Sequence, residues 1–309
     1  MTKKIFSFFF LLSCFLIQAQ YTSVINSNRP GFSQSPYSVG TGVYQIESGM
    51  FFASSKIVRT FTLPRSSGSE LTFRTSFFFD KLEFNTNIKY QNDKVAFKNV
   101  FTSDYFTKGF SELTFGAKYL LFEPKYTDKS KEVRSWKRRH AFDWKRAIPA
   151  VSIYLGINTN FLNDIHKLET ITPKIGVLMQ NDLSKKLIIV TNAYYDKIGS
   201  DYSEFSYIIS GTYSLNDYWS AFIEHQGIHN KYYAQNNIGT GIAFLANRHF
   251  QIDASARVDF TKKRTGSYAG LGFSFRLDRH RDESYLIDKN GNKIDNNPPK
   301  YITKKKKWI

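Results

Sequence analysis

Charged side chains occur at alternating positions in several extended stretches of this sequence, where they could line a water-filled passage. They are Glu47, Arg74, Glu83, Lys89, Lys118, Asp253, Arg257 and Asp259. Alternate residues of a β-strand point to the same face, so such strands would present their charges on one side. Carboxylates and cations facing each other across a passage either pair and fix its shape or create a field that acts on a polar solute. These eight residues are our candidate lumen and selectivity residues.

Catalysis is another use of such side chains, but the sequence offers no constellation for it. His166 shares a stretch with Asp164, yet none of the six histidines has both a serine and an acid at a suggestive spacing. A hydrolase needs a nucleophile, a base and an acid together. The one cysteine, Cys14, lies near the N-terminus, so thiol catalysis and cysteine–zinc sites are not expected. We therefore expect no enzyme, no catalytic residue, no metal site and no cofactor.

The elements that would position the charges are two-faced strands. Residues 82–91 and 250–260 each alternate between a mainly apolar and a fully polar face. A soluble β-sandwich gives the same alternation with its apolar face inward. The length of these stretches, about ten residues, is what a tilted membrane strand needs, whereas ordinary strands have about five or six. Strand length therefore favours a membrane barrel.

Twelve segments of this kind can be counted. They lie at 43–53, 70–79, 81–91, 111–122, 148–160, 171–181, 186–196, 203–214, 218–228, 236–246, 249–260 and 267–277. Short turns follow the even-numbered segments and longer links follow the odd-numbered ones, except at 123–147, as in outer-membrane barrels with short periplasmic turns. The 29 Phe and 19 Tyr fit aromatic girdles at the two membrane interfaces. We predict an all-β transmembrane antiparallel barrel of about 12 strands, with 10 or 14 as alternatives.

The first 19 residues form a predicted signal peptide. Lys3 and Lys4 precede an apolar run too short to span a bilayer, and Ala19 provides a small residue for cleavage before Gln20. Cys14 loosely imitates a lipidation site, but the apolar run continues past it, which favours a signal peptide. The sequence therefore predicts an exported protein with a cleaved signal.

A turn-rich stretch precedes the first strand. Residues 28–49 read NRPGFSQSPYSVGTGVYQIESG and contain several Pro and Gly turn signals before the alternation begins. This pattern resembles the opening segment of a family of Gram-negative outer-membrane β-barrels, the "MetA-pathway of phenol degradation" proteins. Residues 71–84, LTFRTSFFFDKLEF, and 109–119, GFSELTFGAKY, are similar to two further family patterns.

The resemblance extends to about Leu277, and the departures from it are small. They are Asn28 where the family more often has Asp, and Ser76 and Ser111 where it has Gly. The resemblance implies an outer-membrane barrel that acts as a transporter, located in the outer membrane of a Gram-negative bacterium. It does not specify the solute.

Two basic segments account for much of the formal net charge of +17. Residues 123–147 contain nine Lys and Arg against four acidic residues, and residues 278–309 contain nine against five. Their candidate partner-binding residues are Arg134, Lys137, Arg138, Arg139, Lys304, Lys305, Lys306, Lys307 and Trp308. An exported chain does not meet nucleic acid, so an anionic periplasmic partner is the functional interpretation. The alternative is a solvated loop and a mobile tail, because runs of like charge repel.

The predicted organisation has four parts. Residues 1–19 are the signal peptide, 20–42 an N-terminal lead-in and candidate plug, 43–277 the barrel with its basic periplasmic loop at 123–147, and 278–309 a basic periplasmic tail.

Two functions remain open from the sequence alone. The first is passive passage of a small, unidentified solute through a narrow charged lumen. The second is a non-conducting accessory or scaffold subunit of an outer-membrane complex, which docks a periplasmic or outer-membrane protein through the basic loop and tail. Both place the barrel in contact with outer-membrane lipid and neither involves nucleic acid.

Overall fold

Twelve antiparallel strands close into a single barrel in which each strand pairs with its sequence neighbour and β1 pairs with β12. The computed structural model describes residues 24–56, 61–97, 104–126, 142–261, 264–280, 283–284 and 300–301. The predicted all-β barrel and its number of strands are confirmed. In the described ranges, no helix is long and apolar enough to cross a membrane.

The strands have the following bounds. They are β1 Val43–Lys56, β2 Phe61–Thr75, β3 Leu82–Phe97, β4 Asp104–Phe122, β5 Ala150–Asn158, β6 Thr172–Asp182, β7 Leu187–Asp196, β8 Glu204–Ser214, β9 Trp219–Asn230, β10 Ala234–Asn247, β11 Phe250–Thr261 and β12 Arg264–Asp278. A 3₁₀ turn at Trp144–Ala147 precedes β5, and a two-residue pair, β13 Glu283–Ser284 with β14 Lys300–Tyr301, lies outside the barrel sheet.

The alternation in the sequence separates the two faces of the barrel wall. On β5 the side chains of Ile153, Leu155 and Ile157 point outward and are 41–59% exposed, whereas Ser152 and Tyr154 point inward and are buried. The outward faces form the apolar surface that a membrane barrel presents to lipid. The polar residues are thereby directed into the lumen.

β2, β3 and β4 are the strands that extend furthest beyond their predicted segments. The sequence predicts long links at 54–69 and 92–110, but β2 begins at Phe61, β3 continues to Phe97 and β4 begins at Asp104. Residues 65–69 of β2 are Arg-Ser-Ser-Gly-Ser, so neither face is apolar there. Pairing continues beyond the hydrocarbon zone, where the alternation that marks a membrane strand is no longer required. The prediction that β2 extends to residue 79 was also wrong, since the strand ends at Thr75.

Both described ends of the barrel sequence lie at one end of the barrel, with the turns that follow the even-numbered strands. We call it the periplasmic end, since outer-membrane barrels have their short turns there. The predicted signal peptide at 1–19 lies outside the described residues. So do the predicted partner-binding residues Arg134, Lys137, Arg138, Arg139, Lys304, Lys305, Lys306, Lys307 and Trp308.

Candidate functional site in the barrel lumen

The lead-in, of which residues 24–42 are described, lies inside the barrel. Near the periplasmic end, the amide of Ile25 donates to the carbonyl of Arg248 at 2.9 Å. The segment passes into the lumen, turns at residues 29–32 and returns to the same end, where the amide of Thr41 donates to Asp80 at 3.1 Å. It is therefore a loop whose two ends lie at the periplasmic end and whose tip lies within the lumen.

Phe32 is the aromatic residue at the tip of this loop. Its ring centroid lies 3.0 Å from Cζ of Arg257 and 5.5 Å from the ring of Tyr268, in an edge-on arrangement. The backbone amides of Phe32 and Ser33 both donate to Oε2 of Glu224, at 3.0 and 3.1 Å. A carboxylate held by two amides and a ring stacked on a guanidinium fix the tip in the lumen.

The opposite side of Phe32 contacts an apolar cluster on the inner wall. Its members are Tyr154, Leu178, Tyr194 and Ile208, which belong to four consecutive strands, β5 to β8. Phe32 thus touches both sides of the lumen.

Arg29, three residues before Phe32, forms ion pairs with two strands. Its Nη2 and Nε donate to Oδ1 of Asp253 on β11 at 3.0 and 3.2 Å, and its Nη1 pairs with Glu70 on β2. Its carbonyl accepts from Nε2 of Gln251 at 3.1 Å. Both the side chain and the backbone of Arg29 are therefore bound to the wall.

A charged network closes the lumen nearer the periplasmic end. Arg74 lies between Glu47 and Glu83, 2.9 Å from each, and Lys118 lies 3.1 Å from Glu83. All four side chains are at most 2% exposed. Buried charges are tolerated when they are paired and hydrogen-bonded, which this network achieves.

The lead-in supplies the remaining partners of this network. Arg74 donates to the carbonyl of Asn26 at 2.7 Å, Lys118 donates to the carbonyls of Ser35 and Tyr37 at 2.8 and 2.9 Å, and the amide of Val39 donates to Glu83 at 3.0 Å. The wall and the lead-in thus share one hydrogen-bonded structure.

The returning limb of the lead-in is bound through neutral polar side chains. Asn192 on β7 accepts from the amide of Gln34 at 2.6 Å and donates to its carbonyl at 2.9 Å. Ser35 donates to Gln180 at 2.8 Å, and Ser152 donates to the carbonyl of Pro36 at 2.6 Å. Water can replace each of these partners, so the individual net contribution is only about 0.5–1.5 kcal/mol.

The base of the basic loop lies close to the foot of the lead-in. The hydroxyl of Tyr37 donates to Asp182 at 3.5 Å, and Arg146 donates to the carbonyl of Asp182 at 2.7 Å. The guanidinium of Arg146 also lies 4.7 Å from the ring centroid of Tyr126. Burial raises the pKa of the Tyr126 hydroxyl, which therefore remains neutral at physiological pH.

A cavity of about 690 Å³ lies on the extracellular side of the loop tip. Arg29, Phe32 and Ser33 of the lead-in line it together with residues from the extracellular ends of the strands. Its wall carries Lys89, Glu112, Lys174, Asp196, Arg257, Asp259 and Tyr268. We refer to this space as the vestibule. A volume of this size is in the usual range for sites that hold small molecules.

The eight residues singled out from the sequence fall into three groups. Glu47, Arg74, Glu83 and Lys118 form the buried network, Asp253 binds Arg29, and Lys89, Arg257 and Asp259 line the vestibule, which Glu47 also borders. Lys89 lies with its Nζ 4.4 Å from the ring centroid of Phe51, and Asp259 accepts from the Thr261 hydroxyl at 2.7 Å.

Sequence reasoning did not single out Phe32, Glu70 or Arg29 as site residues. Glu70 is the first residue of the predicted segment 70–79, directly after a Ser- and Gly-rich predicted link, and Phe32 and Arg29 precede the first strand. The signals that could have found them are the Arg-Pro-Gly turn and its placement immediately before a barrel.

His166 of the loop between β5 and β6 reaches Asp93 on the inner wall, with Nε2 2.8 Å from Oδ2. Ser66 hydrogen-bonds to the same carboxylate. The carboxylate therefore stands between the serine and the imidazole, whereas a hydrolytic triad places the imidazole between the other two. Within the described residues, no group of three or more acidic, His or Cys side chains could hold a metal ion.

The comparisons with known proteins agree with this architecture. A family profile described as "Putative MetA-pathway of phenol degradation" matches residues 27–277. The search of curated proteins returned no match.

Solved structures are similar in fold at low sequence identity. The COG4313 outer membrane channel from Pseudomonas putida F1 is 11% identical with a TM-score of 0.53, over 82% of this chain and all of that chain. The Pseudomonas putida toluene transporter TodX is 7% identical with a TM-score of 0.46, over 82% of this chain and 95% of that chain. At these identities the first likeness establishes the shared fold alone, and the second lies below the range on which an argument can rest.

Proposed function

This chain belongs to the MetA-pathway of phenol degradation family of outer-membrane barrels, and on that premise we propose that it is a gated passive channel for a small polar solute. The solute enters the vestibule from outside, and the lead-in acts as a gate between the vestibule and the periplasm. No energy source is required, because passage follows the concentration gradient.

The observation that carries this proposal is the division of the lumen into an open and a sealed part. The vestibule is a cavity of about 690 Å³, whereas the network of Glu47, Arg74, Glu83 and Lys118 beneath it is at most 2% exposed. Residues 24–42 lie between the two parts. A barrel that only anchored another protein would need no vestibule above such a segment.

The charged groups in the vestibule wall support a polar solute. Lys89, Arg257 and Asp259 are among the charged residues of the vestibule, so a solute would meet both signs of charge there. An apolar solute would gain little from replacing water at such groups. In this proposal these three residues, together with Asp253, select the solute. Arg74, Glu83 and Lys118 hold the gate and meet the solute only after it moves, whereas Glu47 pairs with Arg74 and also borders the vestibule.

The lead-in is suited to a gate because most of its partners are polar groups that water can replace. A segment held by hydrogen bonds and ion pairs exchanges them for hydration when it leaves the wall, at a modest net cost per bond. A segment buried through large apolar side chains would expose them instead. The apolar exceptions are Ile25 and Val39, which are buried in the two limbs, and Phe32, which lies at the tip, where the seal is needed.

Planar-bilayer conductance of the purified protein tests the proposal. The full chain should conduct in brief openings, and deletion of residues 28–40 should give a larger, steady conductance. A matched control is deletion of residues 199–202 in the extracellular loop between β7 and β8, which do not line the vestibule, and this deletion should leave the openings brief. Equal conductance with and without residues 28–40 would overturn the gate, and a silent barrel in both forms would overturn the channel.

A further inference from the structure

Four residues on neighbouring strands form a row across the inner wall. Asp253 on β11 is the register partner of Gly272 on β12, Gly272 is the partner of Gly49 on β1, and Gly49 is the partner of Glu70 on β2. The row therefore reads carboxylate, glycine, glycine, carboxylate. All four positions belong to the barrel and none to the lead-in.

The guanidinium of Arg29 lies flat on the two glycines. A Cβ atom added at Gly49 would stand 2.7 Å from Cζ of Arg29, and one added at Gly272 would stand 2.5 Å from it. Both distances are shorter than any ordinary non-bonded contact, so a side chain larger than hydrogen at either position would displace the guanidinium. The paired glycines thus create a shallow recess in the wall.

The carboxylates at the two ends of the recess match the two sides of the guanidinium fork. Asp253 receives Nε and Nη2, and Glu70 receives Nη1. The Asp253 side chain is completely buried and that of Glu70 is 23% exposed. A planar fork with several donors suits this geometry, whereas the compact ammonium of lysine can point at only one end.

We propose that this row is a guanidinium-binding site of the barrel wall, occupied by Arg29 when the gate is closed, for which a small guanidinium-bearing solute competes. Its role in gating rests on the function proposed above, but the binding itself does not. Arg29 and Glu70 both border the vestibule, so a solute there reaches the exposed end of the site first. Occupation by the solute would release Arg29 and, with it, the tip of the lead-in.

The alternative is that the row serves only to hold Arg29. In that case the recess depends on the lead-in, and the wall alone would not bind a guanidinium ion. The two interpretations therefore differ in whether the wall binds a free guanidinium ion once Arg29 is absent.

Calorimetric titration of the full-length Arg29→Ala barrel with methylguanidinium tests this directly, with methylammonium as the matched cation. The expected result is saturable methylguanidinium binding about tenfold tighter than that of methylammonium, a difference that calorimetry resolves. The double variant Arg29→Ala/Gly49→Ala should lose this preference. Equal binding of the two cations, or an unchanged preference in the double variant, would overturn the proposal.

If Arg29→Ala does not give a heat-modifiable folded band on gels, Arg29→Lys replaces it. The lysine keeps a positive charge near Asp253 but cannot bridge to Glu70. Methylguanidinium should displace the ammonium and bind, whereas methylammonium should not. Failure of methylguanidinium to bind this variant would overturn the proposal.

Conductance separates the failure of this inference from that of the channel. With the wild-type chain, methylguanidinium should increase the open fraction and methylammonium should not. If methylguanidinium binds preferentially but no variant conducts, the proposed channel is wrong and the proposed binding site still holds. If the two cations change the conductance equally, the site has no role in gating. If they bind equally, the proposed binding site is wrong.

Discussion

Glu83 is the residue on which the buried network depends most. It accepts from Arg74 at 2.9 and 3.0 Å, from Lys118, and from the amide of Val39 in the lead-in. It thus neutralises two buried cations and attaches the returning limb of the gate. If Glu83 lost its charge, Glu47 would be the one carboxylate of the network left to balance the buried cations Arg74 and Lys118.

Glu83→Gln should therefore destabilise the barrel by roughly 3 kcal/mol, the lower end of the cost of leaving a buried charge unpaired. Urea unfolding in lipid vesicles measures this free energy. The matched control is Glu169→Gln, because Glu169 is exposed in the loop between β5 and β6, and its replacement should leave the free energy of unfolding unchanged. Equal stability of the two variants would contradict the importance assigned to the network.

Phe32→Ala should open the seal without removing the lead-in. The ring fills the space between Arg257 and the wall cluster that includes Tyr154, so its loss leaves a gap beside the vestibule. Single-channel recording should show a higher open probability than in the wild type. Phe52→Ala provides the control, since Phe52 faces outward and is 70% exposed. A closed Phe32→Ala channel would mean that the ring is not part of the seal.

The sequence predicts which face of a strand a side chain occupies, but it does not predict which residues meet across the lumen. Arg74 and Glu83 could be placed on the inner face because alternation fixes side-chain direction along a strand. Their pairing with each other and with Asn26 could not, because no sequence pattern records which residues meet across a lumen. The contact between Ser27 and Ser274 joins residues 247 positions apart. In the sequence, Arg29 is recognisable only as part of an Arg-Pro turn.

At the scale of elements, hydrophobic alternation located the strands within the membrane but not their extensions. The predicted segment at 171–181 differs from β6 by one residue at each boundary, and the segment at 203–214 differs from β8 by one residue at its start. Residues 65–69 of β2, by contrast, are polar on both faces, a pattern that predicts a link rather than a strand. The backbone hydrogen bonds of these residues continue the pairing of the membrane-spanning part of the same strands. A single sequence carries no local signal for such an extension.

The lipid-facing assignment of β12 can be tested by two substitutions on the same face of the strand. Leu271 is 67% exposed near the middle of β12, so Leu271→Arg should destabilise the barrel by roughly 2–4 kcal/mol in lipid. Ser267→Arg, closer to the extracellular end, should cost only about 0–1 kcal/mol. Ser267 is the register partner of Ser54 on β1, and Ser54 is the register partner of Arg65 on β2. The barrel therefore already carries an arginine at the level of Ser267.

Urea unfolding in vesicles of defined thickness gives both values. A cost for Ser267→Arg equal to that for Leu271→Arg would contradict the position assigned to the membrane on this strand.

At the scale of the whole molecule, the proposed function treats the barrel and the lead-in as one unit with two states. Strands β1 to β12 provide a rigid wall, and residues 24–42 occupy its interior through contacts with strands on every side. In the proposed function the wall selects the solute and the lead-in closes the lumen, so closure requires that the lead-in can move.

A reversible covalent lock tests that claim most directly. The hydroxyl oxygens of Ser27 and Ser274 lie 2.6 Å apart, so cysteines at these positions come within reach of a disulfide. Cys14 is the one natural cysteine and lies in the predicted signal peptide, so it should not interfere. Each single cysteine variant, treated with the same oxidant, is the control.

The measurement is the conductance of one Ser27→Cys/Ser274→Cys preparation, first oxidised and then reduced, with disulfide formation followed on gels. A gate that must leave the wall predicts that oxidation abolishes the openings and that reduction restores them. An oxidised, fully cross-linked barrel that conducts as well as the reduced one would contradict the account, because solute would then pass while the entering limb of the lead-in is fixed to the wall at residue 27.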